Sequence, residues 1–234
     1  MGRPDEIVHE PNSPTTMFKD WISGTDFSCL GGRAAVRREQ LTCVELRTMS
    51  DMDSTRRLHG QLVEFVRARR PEETDFGSFA AIFEEPQRQS EEEFEKALWG
   101  QLEMLHDVDR EKYEWARGVS SDPHSPRFAY SVAGHPFFVV GLHSQASRIS
   151  RRFPYPVLVF NSHLQFDRLK QSGLYASLQT KIRARELRIQ GSVNPNLSDF
   201  GQNPESVQYS GRANPERWRC PWSGGSVGIE EAGQ

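Results

Sequence analysis

Residues 134–167 read GHPFFVVGLHSQASRISRRFPYPVLVFNSHLQFD, and the pattern of this stretch decides the fold class. Two apolar runs, 137–142 and 157–160, are of strand length and bounded by glycine, proline and polar residues. The second is wholly apolar, as expected of a strand buried on both faces. Asn161 or Ser162 caps a helical stretch from 164 to about 190, interrupted near Gly173. Upstream, 128–132 predicts a further strand, separated from 137–142 by Ala-Gly-His-Pro. The segment 119–127 carries Pro123 and Pro126 and reads as loop.

Toward the N-terminus the same reading continues. Ser90 with Glu93 three residues on gives a capping-box pattern, and Phe94, Leu98, Leu102 and Leu105 form the stripe of an amphipathic helix. A strand is predicted at 79–83. A helix over 54–70 carries Leu58, Leu62, Phe65 and Val66, with Asp53 or Ser54 as cap and Pro71 as stop. A strand at 41–49 and short helices at 33–38 and 17–23 precede it. Residues 1–15 hold three prolines and read as a disordered leader. From Gly191 to Gly225, Asn, Pro, Gly and Ser dominate and predict irregular structure, and 226–234 reads as a flexible tail. The expected architecture is α+β: one domain over 16–225, a mostly antiparallel sheet flanked by helices, and a long irregular C-terminal segment closing a pocket.

Composition narrows the function classes. The 234 residues carry a net charge of −3 with a pI near 6.2, so no global excess of base marks a nucleic-acid binder. No apolar run approaches the ~18–20 residues that cross a bilayer, so no membrane association is expected. The first residues lack the apolar core of a secretory signal, and Glu6 stands where a myristoylation pattern needs Ser or Thr. Three cysteines without a CxxC read as reduced thiols in a cytoplasmic setting.

The residues that could carry chemistry cluster in two places. His135, His143 and His163 each sit at the edge of an apolar strand, where rigid backbone delivers an imidazole to the lip of a cavity as a metal or haem ligand or a general base. Buried histidines hydrogen-bonded to backbone are the plainer alternative. Arg148, Arg151 and Arg152 follow closely; forked guanidinium groups suit carboxylates, whether of haem propionates or of an acidic substrate. A solvated basic face is the alternative there. The second cluster is 190–222, too aromatic for simple disorder, with Asp199 and Glu205 as carboxylates for a cationic substrate; Asp199 could equally well tie down the Asn-Pro turns. Cys220 precedes Pro221 inside Trp-Arg-Cys-Pro-Trp; Cys-Pro suits a thiolate ligand, and Arg219 would lower the thiol pKa, with a buried structural cysteine as the alternative. Cys29, in FSCLGG, would pack against the sheet. Gly31-Gly32 is no phosphate loop.

Several strings resemble the YqcI/YcgG family in its order: FSCLGGRAAVRR, HPFFVVGLH, RRFPYPVLVFNSHLQF, GSVNPNLSDFG, QYSGR and WRCPW, over about 18–222. Ser144 stands where the family usually has Pro, and Trp222 where it often has Phe. The resemblance implies a haem b protein whose characterised relatives hydroxylate a nitrogen of arginine or an arginine-derived guanidine in natural-product pathways such as those of D-cycloserine and guanitoxin. It implies His143, His163 or Cys220 as iron ligand, with His143 preferred, and Arg148, Arg151 and Arg152 at the propionates. Asp199 and Glu205 would hold a guanidinium substrate. Electrons, where needed, would come from an external donor, and a homodimer stays open. The rival expectation is a haem-binding or small-molecule-binding protein without turnover.

Overall fold

The computed structural model describes residues 13–69, 76–194, 201–214 and 218–222. Helix α1 (Pro14–Ser23) starts inside the expected leader. Ser13 caps it by accepting the Thr16 amide at 3.2 Å, Pro14 occupies its first turn, and the buried Thr15 donates its amide to Glu45 at 2.9 Å. The chain continues through α2 (Leu30–Arg37), β1 (Leu41–Thr48), α3 (Met52–Arg69), β2 (Ser78–Glu85) and α4 (Glu91–Asp109). The capping box of α4 is present in both directions: the Glu93 amide donates to Ser90 at 3.2 Å, and the Ser90 amide to Glu93 at 2.8 Å. Strands β3 (Tyr130–Val132), β4 (His135–Leu142) and β5 (Val157–Ser162) follow, then α5 (His163–Gln171), α6 (Leu174–Gln190) and the short α7 (Ser206–Tyr209). Gly173 breaks α5 from α6 in the left-handed region, at φ 73°.

Among the described residues, five strands form one mixed sheet in the order β1-β2-β5-β4-β3. The β1–β2 pairing is parallel, bridged by α3; the other three are antiparallel. The fold is therefore α+β with a mostly antiparallel sheet. Alternation along the central strands divides the side chains between two cores. Phe79, Phe83, Phe137, Val139, Leu158 and Phe160 face α3 and α4. Ala80, Ile82, Leu142 and Val157 face α1 and α2. Full burial of each such large side chain contributes about 1.5–3 kcal/mol. Gly141 lets α4 lie close on β4: a Cβ there would stand 2.7 Å from both Leu98 and Phe94.

The C-terminal segment crosses the end of this sheet and is bound on both sides. Tyr209, Cys220 and Trp222 are buried in the α3–α4 core, with Trp99 stacked on Tyr209 at 5.5 Å. Glu95, buried on α4, accepts from Ser210 at 2.9 Å, Arg212 at 3.1 Å and Trp218 at 3.1 Å. Glu205 and Gln208 reach round to the opposite face, where they help to close a cavity.

Candidate functional site

A cavity of about 330 Å³ lies between the α1–α2 face of the sheet and a cover formed by α5 and α6. Its floor is apolar, from Phe138, Val140 and Leu142 of β4 and Val159 of β5, and its polar groups come from the surrounding elements. His163 opens α5 directly after β5, so the strand end fixes its position, and its Nε2 lies 2.8 Å from Glu205. Both side chains are buried. Burial pushes the Glu205 carboxyl up, while the hydrogen bond and charge of His163 pull it down. The result is an imidazole–carboxylate pair able to hold a proton between Nε2 and Oε2.

Arg148 and Arg151 also line the cavity, in different roles. Arg148 pairs with Glu186 of α6 at 2.6 Å and donates to the Ser192 carbonyl at 2.7 Å. Arg151 donates to the carbonyls of Gly141 at 3.0 Å, Tyr209 at 3.1 Å and Gln208 at 3.1 Å, tying the C-terminal segment to β4. Its hydrogen bonds go to neutral acceptors, and burial lowers its pKa to about 10, so the guanidinium remains charged at neutral pH.

The remaining sequence-predicted residues do not gather here. His143 lies on the opposite face of the sheet, stacked on Phe94 at 4.4 Å and hydrogen-bonded to the Gln89 backbone, because odd-numbered residues of β4 point toward α4. Cys220 is in that same core, packed with Trp222. Burial pushes its thiol up to about 12, opposite to the lowering expected from Arg219. Arg152 turns away to the Ala146 and Ser147 carbonyls. His135 pairs with Ser162 at 2.8 Å, and Asp199 lies outside the described residues. The three expected iron ligands therefore do not converge: of them, His163 alone lines the cavity. Among the described residues no group of three His, Cys, Asp or Glu side chains is arranged to hold a bare metal ion.

Three cavity residues escaped the sequence reading. Cys29 is the N-cap of α2: its Sγ accepts the Gly32 amide at 3.5 Å and is also hydrogen-bonded by the Gly31 backbone. Burial raises this thiol above its ordinary value, outweighing the two amides and the Arg151 charge, which act to lower it. The signal was a cysteine just before a Gly-Gly helix start; Gly32 in particular admits the Phe27 ring, which a Cβ would meet at 2.8 Å. Gln165 and Glu186 are both buried along the cavity wall, and Gln165 Oε1, Glu186 Oε2 and Arg148 Nε have no hydrogen-bond partner among the described residues. Unpaired buried polar atoms of this kind are what a polar ligand would satisfy.

A family model for the YqcI/YcgG family matches residues 18–223. The chain is similar to YcgG of Bacillus subtilis (strain 168), 26% identical over 207 residues, covering 84% of this chain and 81% of that protein. It is similar also to YqcI of the same organism, 26% identical over 192 residues, covering 78% and 74% respectively. Both relatives are uncharacterized proteins. No solved structure matches the chain. With the family match running across the sheet, the cavity and the C-terminal segment that closes it, the chain belongs to the YqcI/YcgG family.

Proposed function

We propose that the cavity holds a haem b and that the protein is a haem-dependent oxygenase that hydroxylates a nitrogen of L-arginine or a related guanidine or amine. The observation that carries this reading is Cys29: a sulfur on the cavity wall, seated on the first turn of α2 under two backbone amides and within range of the buried charge of Arg151. Amides aimed at sulfur are the surroundings that stabilise a ligating thiolate and tune its donor strength. His163 offers the second ligand chemistry, but its Nε2 is engaged by Glu205. On this reading Cys29, rather than His143 or Cys220, would hold the iron of a bound haem.

The wall residues divide the remaining work. The apolar residues of β4 and β5 would supply a floor for a macrocycle. Lys170 and Arg183 on the rim, with Arg148, would meet its propionates. At about 330 Å³ the cavity stands at the small end of ligand pockets, about 300–1,000 Å³. Glu186 Oε2 and Gln165 Oε1 would accept from the N–H groups of the substrate and orient it. The His163–Glu205 pair would hold a proton beside the reacting nitrogen. A bound haem would supply dioxygen activation and oxygen-atom transfer. The overall change converts N–H to N–OH and releases the second oxygen atom as water, taking up two protons and two electrons from a separate reductant.

The test is the absorption spectrum of protein expressed with a haem precursor, in oxidised, reduced and reduced-CO states. A Soret band with the red-shifted reduced-CO maximum of thiolate ligation is expected, lost in Cys29→Ser and retained in Cys220→Ser and His143→Phe. Incubation with L-arginine, dioxygen and a reductant is expected to give N-hydroxylated product by mass spectrometry. A colourless protein that cannot be reconstituted would overturn the proposal in favour of a haem-free small-molecule binder. A Soret band without product from any guanidine or amine would leave a non-catalytic haem protein.

A further inference from the structure

Charge is distributed unevenly over this molecule. Helix α2 with its cap residue Arg38, together with α6, carries Arg33, Arg37, Arg38, Lys181, Arg183, Arg185 and Arg188 against one acid, Glu186. That acid is buried and paired with Arg148. The rest of the chain holds 22 Lys and Arg against 31 Asp and Glu, so a net acidic protein presents a basic face in one place.

The two helices are packed together, and the face is continuous. Arg185 of α6 donates to the carbonyls of Phe27 and Thr25 at 3.1 Å each, immediately before α2, and Arg33 of α2 donates to the Gly24 carbonyl. Arg33, Arg185 and Arg188 are close enough that the charges of the other two depress the Arg185 pKa, after burial. Thr25, Asp26, Arg185 and Arg188 line a shallow depression there. Arg37, Lys181, Arg183 and Arg188 are exposed and have no carboxylate partner among the described residues. In their midst Leu187 is 53% exposed. An apolar side chain set among cations is the makeup of a protein-docking face rather than of a phosphate-backbone track.

The position of this face is as informative as its charge. Cys29 caps the first turn of α2, and α6 covers the cavity. A partner seated here would stand directly over the cavity. Resting on the reading of that cavity as a haem site, we infer that the α2–α6 face is the docking surface for a small acid-rich iron–sulfur electron carrier. Each encounter would transfer one electron, oxidising the carrier's reduced cluster and reducing the iron(III) of a bound haem to iron(II). Two encounters supply the two electrons that N-hydroxylation with dioxygen requires. Such encounters are brief and bury little surface, so steering by charge sets their rate.

The test uses the haem-loaded full chain and a plant-type [2Fe–2S] ferredoxin as probe. Association is followed by biolayer interferometry at low and high salt, and reduction of the Soret band by stopped flow. The variant is R37E/K181E/R188E, three exposed side chains outside the cavity wall. Wild-type association is expected to fall steeply with salt. In the variant it should drop about a hundredfold, toward the ~10⁵–10⁶ M⁻¹s⁻¹ of unsteered encounters, while reduction by dithionite is unchanged. Equal ferredoxin binding by the variant, or none by the wild type at low salt, overturns the inference, and a persisting Soret band then leaves the haem reading standing. Retention on phosphatidylserine vesicles or duplex DNA without ferredoxin binding also overturns it. A colourless protein removes the haem reading instead, and the binding measurement still judges the face by itself.

Discussion

Gly141 lies mid-strand in β4 where α4 makes its closest approach, and replacing it by alanine isolates the packing of the sheet against that helix. A Cβ there would meet Leu98 Cδ1 and Phe94 Cε1 at 2.7 Å and Phe94 Cζ at 2.9 Å. Both side chains are fully buried, and Phe94 is itself stacked on His143, so neither can withdraw without disturbing a second layer. Overpacking of this sort destabilises by about 1–3 kcal/mol, and each kcal/mol shifts Tm by about 2–4 °C in a domain of this size, so Gly141→Ala should melt about 2–12 °C lower. The matched control is Gly60→Ala. Gly60 is exposed on α3 and its Cβ would meet nothing within 4 Å, so the helix-propensity gain of about 1 kcal/mol should raise Tm by about 2–4 °C. Differential scanning calorimetry reads both. An unchanged or higher Tm for Gly141→Ala would show that α4 does not lie on β4 as described.

Two further outcomes follow from buried groups away from the cavity. The Tyr209 hydroxyl accepts the Tyr130 amide at 3.2 Å and donates to the Phe137 carbonyl at 3.3 Å; Tyr209→Phe strands that amide and should lose about 1–3 kcal/mol in urea denaturation, and a neutral result would count against this anchoring of the C-terminal segment. His143 is held below its ordinary pKa, first by burial. The stability it supports is full above the unfolded value of about 6.5 and is lost as pH falls from there through the lower folded value. The pH dependence of Tm between about 5 and 7 should therefore flatten in His143→Phe, which keeps a ring against Phe94. Some slope should persist, because His106 is shifted in the same direction. Glu205, raised mainly by burial, acts in the opposite sense and gains stability as it protonates.

Local patterns carried the secondary structure. The Ser90–Glu93 box, the Phe94–Leu105 stripe and the apolar runs around His143 and His163 each encode their element through contacts a few residues apart, and the structure has them there. Two-residue periodicity also contained a fact about the site that the sequence reading did not use. His143 shares parity with Phe137 and Val139, so it had to fall on the α4 face, away from Phe138 and Val140. What belonged to the tertiary structure alone was which face acquires a cavity. That depends on α5 and α6 folding back over β4 and β5, and on a C-terminal segment that places Cys220 on one side of the sheet and Glu205 on the other. Cys29 and Arg151, 122 positions apart in sequence, come to line one cavity, and Arg148 meets Glu186 across 38. Local propensity does not encode such pairings. They arise when two apolar sheet faces are buried at once and the polar groups at the margins must find partners where the chain has brought them.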